Sequence, residues 1–226
     1  MSIKVGVIIP DRGDRPKFMD NCERMIMAQT IVDNKNYDIE VFHVDYPAKS
    51  DKCDITQRYR YGYESEVMQD RDIIFFIEND DWYSPSYMEY MIAQWICGKP
   101  DLFGTNYTVN YHLGLKKYFT MRHDQRASAM NTMIRGGMKF QWPLDHDPYT
   151  DQWLWMRQNG IQTKKTFEPS SLLSVSMKHG VGKLGGRYHI DDLHRYINED
   201  NNFLEYTLDP ESFEFYKNVV EVIAQK

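Results

Sequence analysis

Three carboxylates, Glu78, Asp80 and Asp81, fall within four positions in the stretch IIFFIENDDWYSP, directly after a run of apolar residues. Like charges so close repel, and a cation relieves the repulsion. Hard divalent ions such as Mg²⁺ or Mn²⁺ take oxygen ligands, typically one or two carboxylates completed by substrate phosphates. If the strand geometry runs on to Asp80, Glu78 and Asp80 share one face and Asn79 takes the other. Acids ahead of a helix also favour its dipole, so capping is the plain alternative. Ser84 already offers a cap, however, and three further acids exceed what capping requires. Two more residues could do chemistry. Asp151 opens the segment DQWLWMRQNG, where a helix N-terminus would favour its ionised form. His179 follows the apolar segment SSLLSVSM, where a lone histidine serves structure as readily as it serves a metal or a phosphate.

The elements that must position these groups alternate. IKVGVIIP (3–10) is a continuous apolar run, the pattern of a strand buried on both faces. KFMDNCERMIMAQT (17–30) places Phe18, Cys22, Met25 and Ile26 at helical spacing, with Pro16 suited to the first turn. YDIEVFHVDY (37–46) reads as a second strand, DITQRYRYGYESEVMQD (54–70) as a second helix and DIIFFIE (72–78) as a third strand. A third helix is predicted over 86–97, with Gly98 and Pro100 closing it. Strand and helix in alternation imply an α/β fold with a mostly parallel central sheet flanked by helices.

Beyond residue 100 the alternation fails. LFGTNYTVNYHLGLKKYFTMRH (102–123) predicts a β-hairpin turning near Gly114; 151–160 predicts a short helix, 170–177 a strand, and the tail from Pro210 an amphipathic helix. With no internal repeat or linker, residues 1–226 read as one domain.

At 226 residues, 42% hydrophobic and 14% aromatic, the composition is that of a globular chain with room for a real core. Cys22, Cys53 and Cys97 show neither paired spacing nor a metal-knuckle pattern, which fits a reducing compartment. No run approaches a membrane span, and the first residues lack a signal-peptide pattern, so a soluble cytoplasmic protein is expected. The net charge of −6 conceals an asymmetry: residues 116–187 hold twelve Lys and Arg against five Asp and Glu. That segment includes Lys116, Lys117, Arg122, Arg126, Arg135 and Lys139, and it suggests either a solvated face or a polyanionic partner, a charged glycan or DNA.

Taken in order, several of these stretches resemble GT-A glycosyltransferases, family 2 in particular. FFIENDDWYSPSYME is similar to that family's strand-to-helix metal motif, roughly Leu-Asp-x-Asp-Asp followed by an aromatic and a proline. VGVIIPDRGDRPKFMDNCERMIMAQT resembles its opening strand, loop and helix, and VFHVDY the strand whose terminal aspartate holds the nucleotide base. QRYRYG resembles the element before the metal motif, and TDQWLWMRQNG the helix carrying the catalytic base. The likeness runs over about residues 3–180. It implies a single GT-A, Rossmann-like domain, with residues 1–105 binding the nucleotide sugar, 106–190 the acceptor and 191–226 forming a helical tail. Pro10, Asp11, Arg12, Asp45, Arg58 and Asn79 would then line the nucleotide. Asp80 would be the principal metal carboxylate, assisted by Glu78 or Asp81 and by His179, with Mn²⁺ or Mg²⁺ bound. Asp151 would be the general base. The donor would be a nucleotide-diphosphate sugar, UDP-type favoured.

The sequence departs from the family at informative places. Glu78 stands where the motif has aspartate, and Thr150 and Trp153 stand where two acids are expected, while Asp145 and Asp147 compete with Asp151 for the base role. One base and no enzyme nucleophile implies a single displacement with inversion. A nucleotidyltransferase would usually show a Gly-rich phosphate loop with a lysine after the first strand, and DRGDRPK has one glycine. A glycoside hydrolase would need a facing carboxylate pair. A non-catalytic nucleotide- or sugar-binding module is the alternative that Glu78 and Thr150 favour.

Overall fold

A computed structural model describes residues 2–47, 52–180 and 193–224. β1 (Ile3–Pro10) is the apolar run, with six of its eight residues buried. α1 (Pro16–Met27) follows with Pro16 in its first turn and buries Phe18, Met19, Cys22, Met25 and Ile26, the face that the helical spacing predicts. β2 (Tyr37–Val44) and β3 (Ile73–Phe76) flank β1, each parallel to it.

The helix expected over 54–70 is two. α2 (Ile55–Glu64) stops at Ser65, whose backbone is extended (ψ 148°), and α3 (Glu66–Gln69) adds one turn beyond it. The Ser65 hydroxyl donates to the Gly62 carbonyl at 2.6 Å, a local bond that competes with continuing the helix. Gly62 also lets α2 lie close on β1, because a Cβ there would stand 2.7 Å from Ile8 Cγ2.

β4 (Trp82–Tyr83) and α4 (Tyr87–Ile96) come next. The expected hairpin begins later than the sequence suggests. β5 (Leu102–Thr105) joins the sheet of β1, and only β6 (Tyr107–His112) and β7 (Lys117–Arg122) pair as the hairpin, turning through 113–116. The remaining elements are β8 (Thr132–Arg135), α5 (Thr150–Met156), β9 (Lys164–Phe167), β10 (Ser174–Lys178), β11 (Asn198–Glu199), α6 (Phe203–Thr207) and α7 (Pro210–Ala224).

These strands form two sheets. The larger has the order β2-β1-β3-β8-β5-β9, with β8 antiparallel to both neighbours and the other pairings parallel. Strand order reverses at β1, since β2 lies on one side and β3 on the other; ligands of open α/β sheets bind outside the carboxyl ends of strands at such a reversal. The smaller sheet has the order β11-β7-β6-β10-β4. Because β3 belongs to the first sheet and β4 to the second, the acidic turn 77–81 is the junction between them. The architecture is the α/β arrangement expected, with the hairpin and the C-terminal helix in place. Among the described residues, no helix is long and apolar enough to cross a membrane.

Candidate active site

β3 ends at Phe76, so strand alternation does not reach the carboxylates. They lie instead on a turn in which the Asp81 N–H donates to the Glu78 carbonyl. The turn still brings them together, with one oxygen from each of Glu78, Asp80 and Asp81 within 4.8 Å of the others. Their environments differ sharply.

Asp80 is paired. Its Oδ2 accepts from the Arg15 guanidinium and lies 2.9 Å from His179 Nε2. Arg15 also donates to Asn79 Oδ1 at 3.0 Å and lies 3.2 Å from His179 Nε2. Burial works against an ionised Asp80, but Arg15 and His179 outweigh it and hold the carboxyl well below the usual carboxylate range. His179 is buried and packs at a tilt of 34° against Phe18, with ring centroids 4.3 Å apart. Tyr216 of α7 donates to the Asp80 carbonyl at 3.1 Å, so the C-terminal helix props the turn from behind.

Asp81 faces the other way. Its Oδ1 accepts the Met177 N–H at 2.7 Å and its Oδ2 meets the Ser176 hydroxyl at 3.5 Å, both in β10. Burial pushes its carboxyl up. Glu78 accepts no hydrogen bond on its carboxylate from the described residues. Burial first, and then the charge of Asp80, raise it to about 7. Lys178 acts on all three acids. The protein thus supplies cations of its own to the cluster, Arg15 above all. Arg15 escaped the sequence reading, because a loop arginine 65 residues before its partner reads as solvated.

The nucleotide candidates separate into two groups. Asp11 and Asn79 lie beside the cluster, with Asp11 Oδ1 accepting the Gly13 N–H and standing 3.5 Å from Asn79 Nδ2, while Arg12 turns to Asp54 at 3.0 Å. Pro10 ends β1 as its last buried residue, and Asp45 stands exposed just beyond β2. Arg58 is not presented to the cleft. It is 1% exposed and makes four hydrogen bonds, to Asp54 and to the carbonyls of Asp11, Val44 and Tyr46, with a further ion-pair contact to Asp54. It clamps the ends of β1 and β2 together, and its guanidinium lies 4.3 Å from the Tyr46 ring.

Asp151 sits in the first turn of α5 and pairs with Arg126. Burial pushes its carboxyl up in spite of Arg126, and its charge reaches Glu78, so the two acids share one region. The N-terminus of α5 is pinned to that of α2, because the Thr56 hydroxyl contacts Thr150 and the Asp147 carbonyl. The rival acids have structural uses: Asp145 pairs with Arg60 at 2.7 Å, and Asp147 accepts the Tyr149 N–H at 2.8 Å.

The basic segment does not converge. Lys117 pairs with Glu199, Arg122 with Glu168, Arg126 with Asp151 and Arg135 with Asp101, on separate elements, while Lys116 and Lys139 are exposed. Lys183 and Arg187 lie outside the described residues.

No family model matches this sequence, and no curated protein matches it. Among solved structures, residues 1–349 of S. aureus TarS in complex with UDP match at a TM-score of 0.50 and 11% identity, over 77% of this chain and 60% of that one. A further structure of S. aureus TarS matches at a TM-score of 0.48 and 10% identity, over 96% of this chain and 48% of that one. This chain therefore spans about three-fifths of the TarS chain seen with UDP. At such identity the likeness is one of fold, and the fold is that of a single GT-A-like α/β domain.

Proposed function

We propose that this chain is a glycosyltransferase that moves a sugar from a UDP-type donor to an acceptor hydroxyl with inversion, using Mn²⁺ or Mg²⁺. The observation that carries the reading is the acidic turn, where three carboxylates meet beside the strand-order reversal of a GT-A-like sheet. A protein of like fold, TarS, has been captured with UDP, which supports the donor class.

The donor set suits a hard divalent cation, being all carboxylate oxygen. Glu78 and Asp80 would hold it, since Asp81 is committed to β10. When bound, the ion would neutralise charge on the departing diphosphate. The protein's own groups do the rest. Pro10, Asp11, Arg12, Asp45 and Asn79 border the nucleotide, and Arg58 holds their loop in shape. The acceptor oxygen attacks the anomeric carbon from the face opposite the nucleotide. The bond from that carbon to the diphosphate oxygen breaks, and its electron pair leaves with UDP. Asp151 takes the hydroxyl proton, and Arg15 and Lys178 lie where negative charge grows.

The test is release of UDP from a panel of UDP-sugars with and without Mn²⁺, followed by the anomeric configuration of the product. Metal-dependent release and an inverted product support the reading. Tight UDP-sugar binding with no release on any acceptor or on water would make the chain a binding module, a reading that the pairing of both Asp80 and Asp151 with arginines favours.

A further inference from the structure

Arg15 occupies the carboxylate on which the proposed metal depends. One arm of its guanidinium is on Asp80 Oδ2 and the other is on Asn79 Oδ1 at 3.0 Å, so the fork spans two consecutive residues of the acidic turn. The side chain is 14% exposed, and Asp80 is 13% exposed, so this pair is largely withdrawn from water. It is held from a loop, since Arg15 immediately precedes α1 and follows Gly13, which has a positive φ of 72° and open space beside it.

Two physical facts follow. A divalent ion and a guanidinium held on the same carboxylate, even on its two different oxygens, repel each other in a site screened from solvent. Moreover, three carboxylates facing Arg15 and Lys178 carry little excess negative charge, so a doubly charged ion overshoots neutrality unless an anion arrives with it. A diphosphate is such an anion, and its oxygens match the planar guanidinium fork as well as a carboxylate does.

We propose that Arg15 is an exchangeable counter-ion: it neutralises Asp80 in the empty site and transfers to the diphosphate of the incoming nucleotide, freeing Asp80 for the metal. The proposal rests on the nucleotide-sugar reading above and adds to it a residue and an order of events. Metal and nucleotide then bind cooperatively, each raising the affinity of the other by the same factor, because coupling free energies are reciprocal.

The experiment is calorimetric titration of MnCl₂ alone, of UDP in chelator, and of MnCl₂ at saturating UDP, into the wild type, Arg15→Gln and Arg15→Lys. In the wild type, UDP should tighten Mn²⁺ binding roughly tenfold or more, within the usual range of coupling. In Arg15→Gln, Mn²⁺ alone should bind about tenfold more tightly than to the wild type, and UDP in chelator about tenfold more weakly, while the coupling shrinks to what the metal and the diphosphate exert on each other directly. Arg15→Lys should fall between, keeping the charge and losing the fork. Equal Mn²⁺ affinity in wild type and Arg15→Gln overturns the proposal, and so does an unchanged UDP affinity in chelator. If Arg15→Gln fails to fold, the wild type decides by itself: NMR of its arginine side chains should show the guanidinium assigned to Arg15 shifting on addition of UDP in chelator, and an Arg15 signal that stays in place overturns the proposal. Failure of the wild type to bind UDP at all would sink the nucleotide reading, and with it the transfer to diphosphate. The Mn²⁺-only comparison would still decide whether Arg15 and the metal compete for Asp80.

Discussion

The backbone N–H of Met177 donates to Asp81 Oδ1 at 2.7 Å, a bond between residues 96 positions apart that ties the acidic turn to β10. It separates the third acid from the other two in role. Asp81 is 1% exposed and anchors the smaller sheet to the turn, whereas the Asp80 carboxylate pairs with Arg15 and His179. Asp81→Ala should leave a buried N–H without an acceptor and destabilise the fold by about 1–3 kcal/mol in urea unfolding. Asp81→Asn retains an acceptor oxygen and removes a carboxyl that burial already disfavours in its charged form, so it should cost much less. Equal losses from both substitutions would show that the charge, and not the bond, is what matters.

Arg58 gives a second measurable case. Its guanidinium donates four hydrogen bonds, to Asp54 and to three backbone carbonyls at the ends of β1, β2 and the adjoining loops. Arg58→Met fills similar space but leaves those acceptors and part of Asp54 unmatched. The expected loss is roughly 3 kcal/mol, toward the low end for breaking a buried pair, because Arg12 still serves Asp54. Nucleotide affinity should fall as well, since the loop holding Asp11 and Arg12 loosens. Loss of nucleotide binding with full retention of stability would instead mean that Arg58 touches the ligand.

Glu78 should make stability depend on pH. Its carboxyl is raised to about 7 in the folded protein from an ordinary value of 4.5. Between those values the native state holds a proton that the unfolded chain has released, so stability falls as pH rises through that window. The expected loss is ~3 kcal/mol across the whole window, most of it between pH 5 and pH 8. Urea unfolding in chelator at pH 5 and pH 8 checks it, and Glu78→Gln should shrink the difference to what the other raised carboxyl, Asp81, contributes. Parallel slopes in the two proteins would remove Glu78 as the source.

Much of this was legible before any coordinates, and what was not has identifiable causes. β1 and β3 announce themselves because both faces are buried, which leaves unbroken apolar runs. β8 and β9 give no such signal: TMIR and KKTF are four residues each, and KKTF is a half-exposed edge strand whose pattern resembles a loop. Their absence from the sequence reading is why LFGT was assigned to the hairpin and not to the main sheet. The acids were legible by their crowding. Their partners were not, since Arg15 with Asp80 and Arg126 with Asp151 are long-range pairs that no local spacing encodes. The surroundings of Arg58 were equally hidden, because helical spacing does not reveal that backbone carbonyls will converge on a side chain.

The pairing of Asp151 with Arg126 sets the last expectation. A general base must be ionised before it accepts a proton, and burial alone pushes the Asp151 carboxyl up. Arg126 opposes that rise without cancelling it, so the carboxyl loses its proton more readily than burial alone would let it. Asp151→Asn preserves size and the first-turn position on α5, so stability should change little, while sugar transfer falls by roughly 10²–10⁴-fold, the usual worth of a positioned base. UDP affinity should stay near that of the wild type, because the proton comes from the acceptor. Arg126→Met should act differently. Without the guanidinium the carboxyl rises further, so the acid limb of the kcat/KM profile should move to higher pH, with the rate recovering once the base is again ionised. An acid limb that stays in place while the rate drops at every pH would assign Arg126 to the acceptor and detach Asp151 from the proton transfer. Near-normal transfer by Asp151→Asn would clear that residue altogether and turn attention to Asp147, which lies at the same end of α5 and whose carbonyl is held by Thr56.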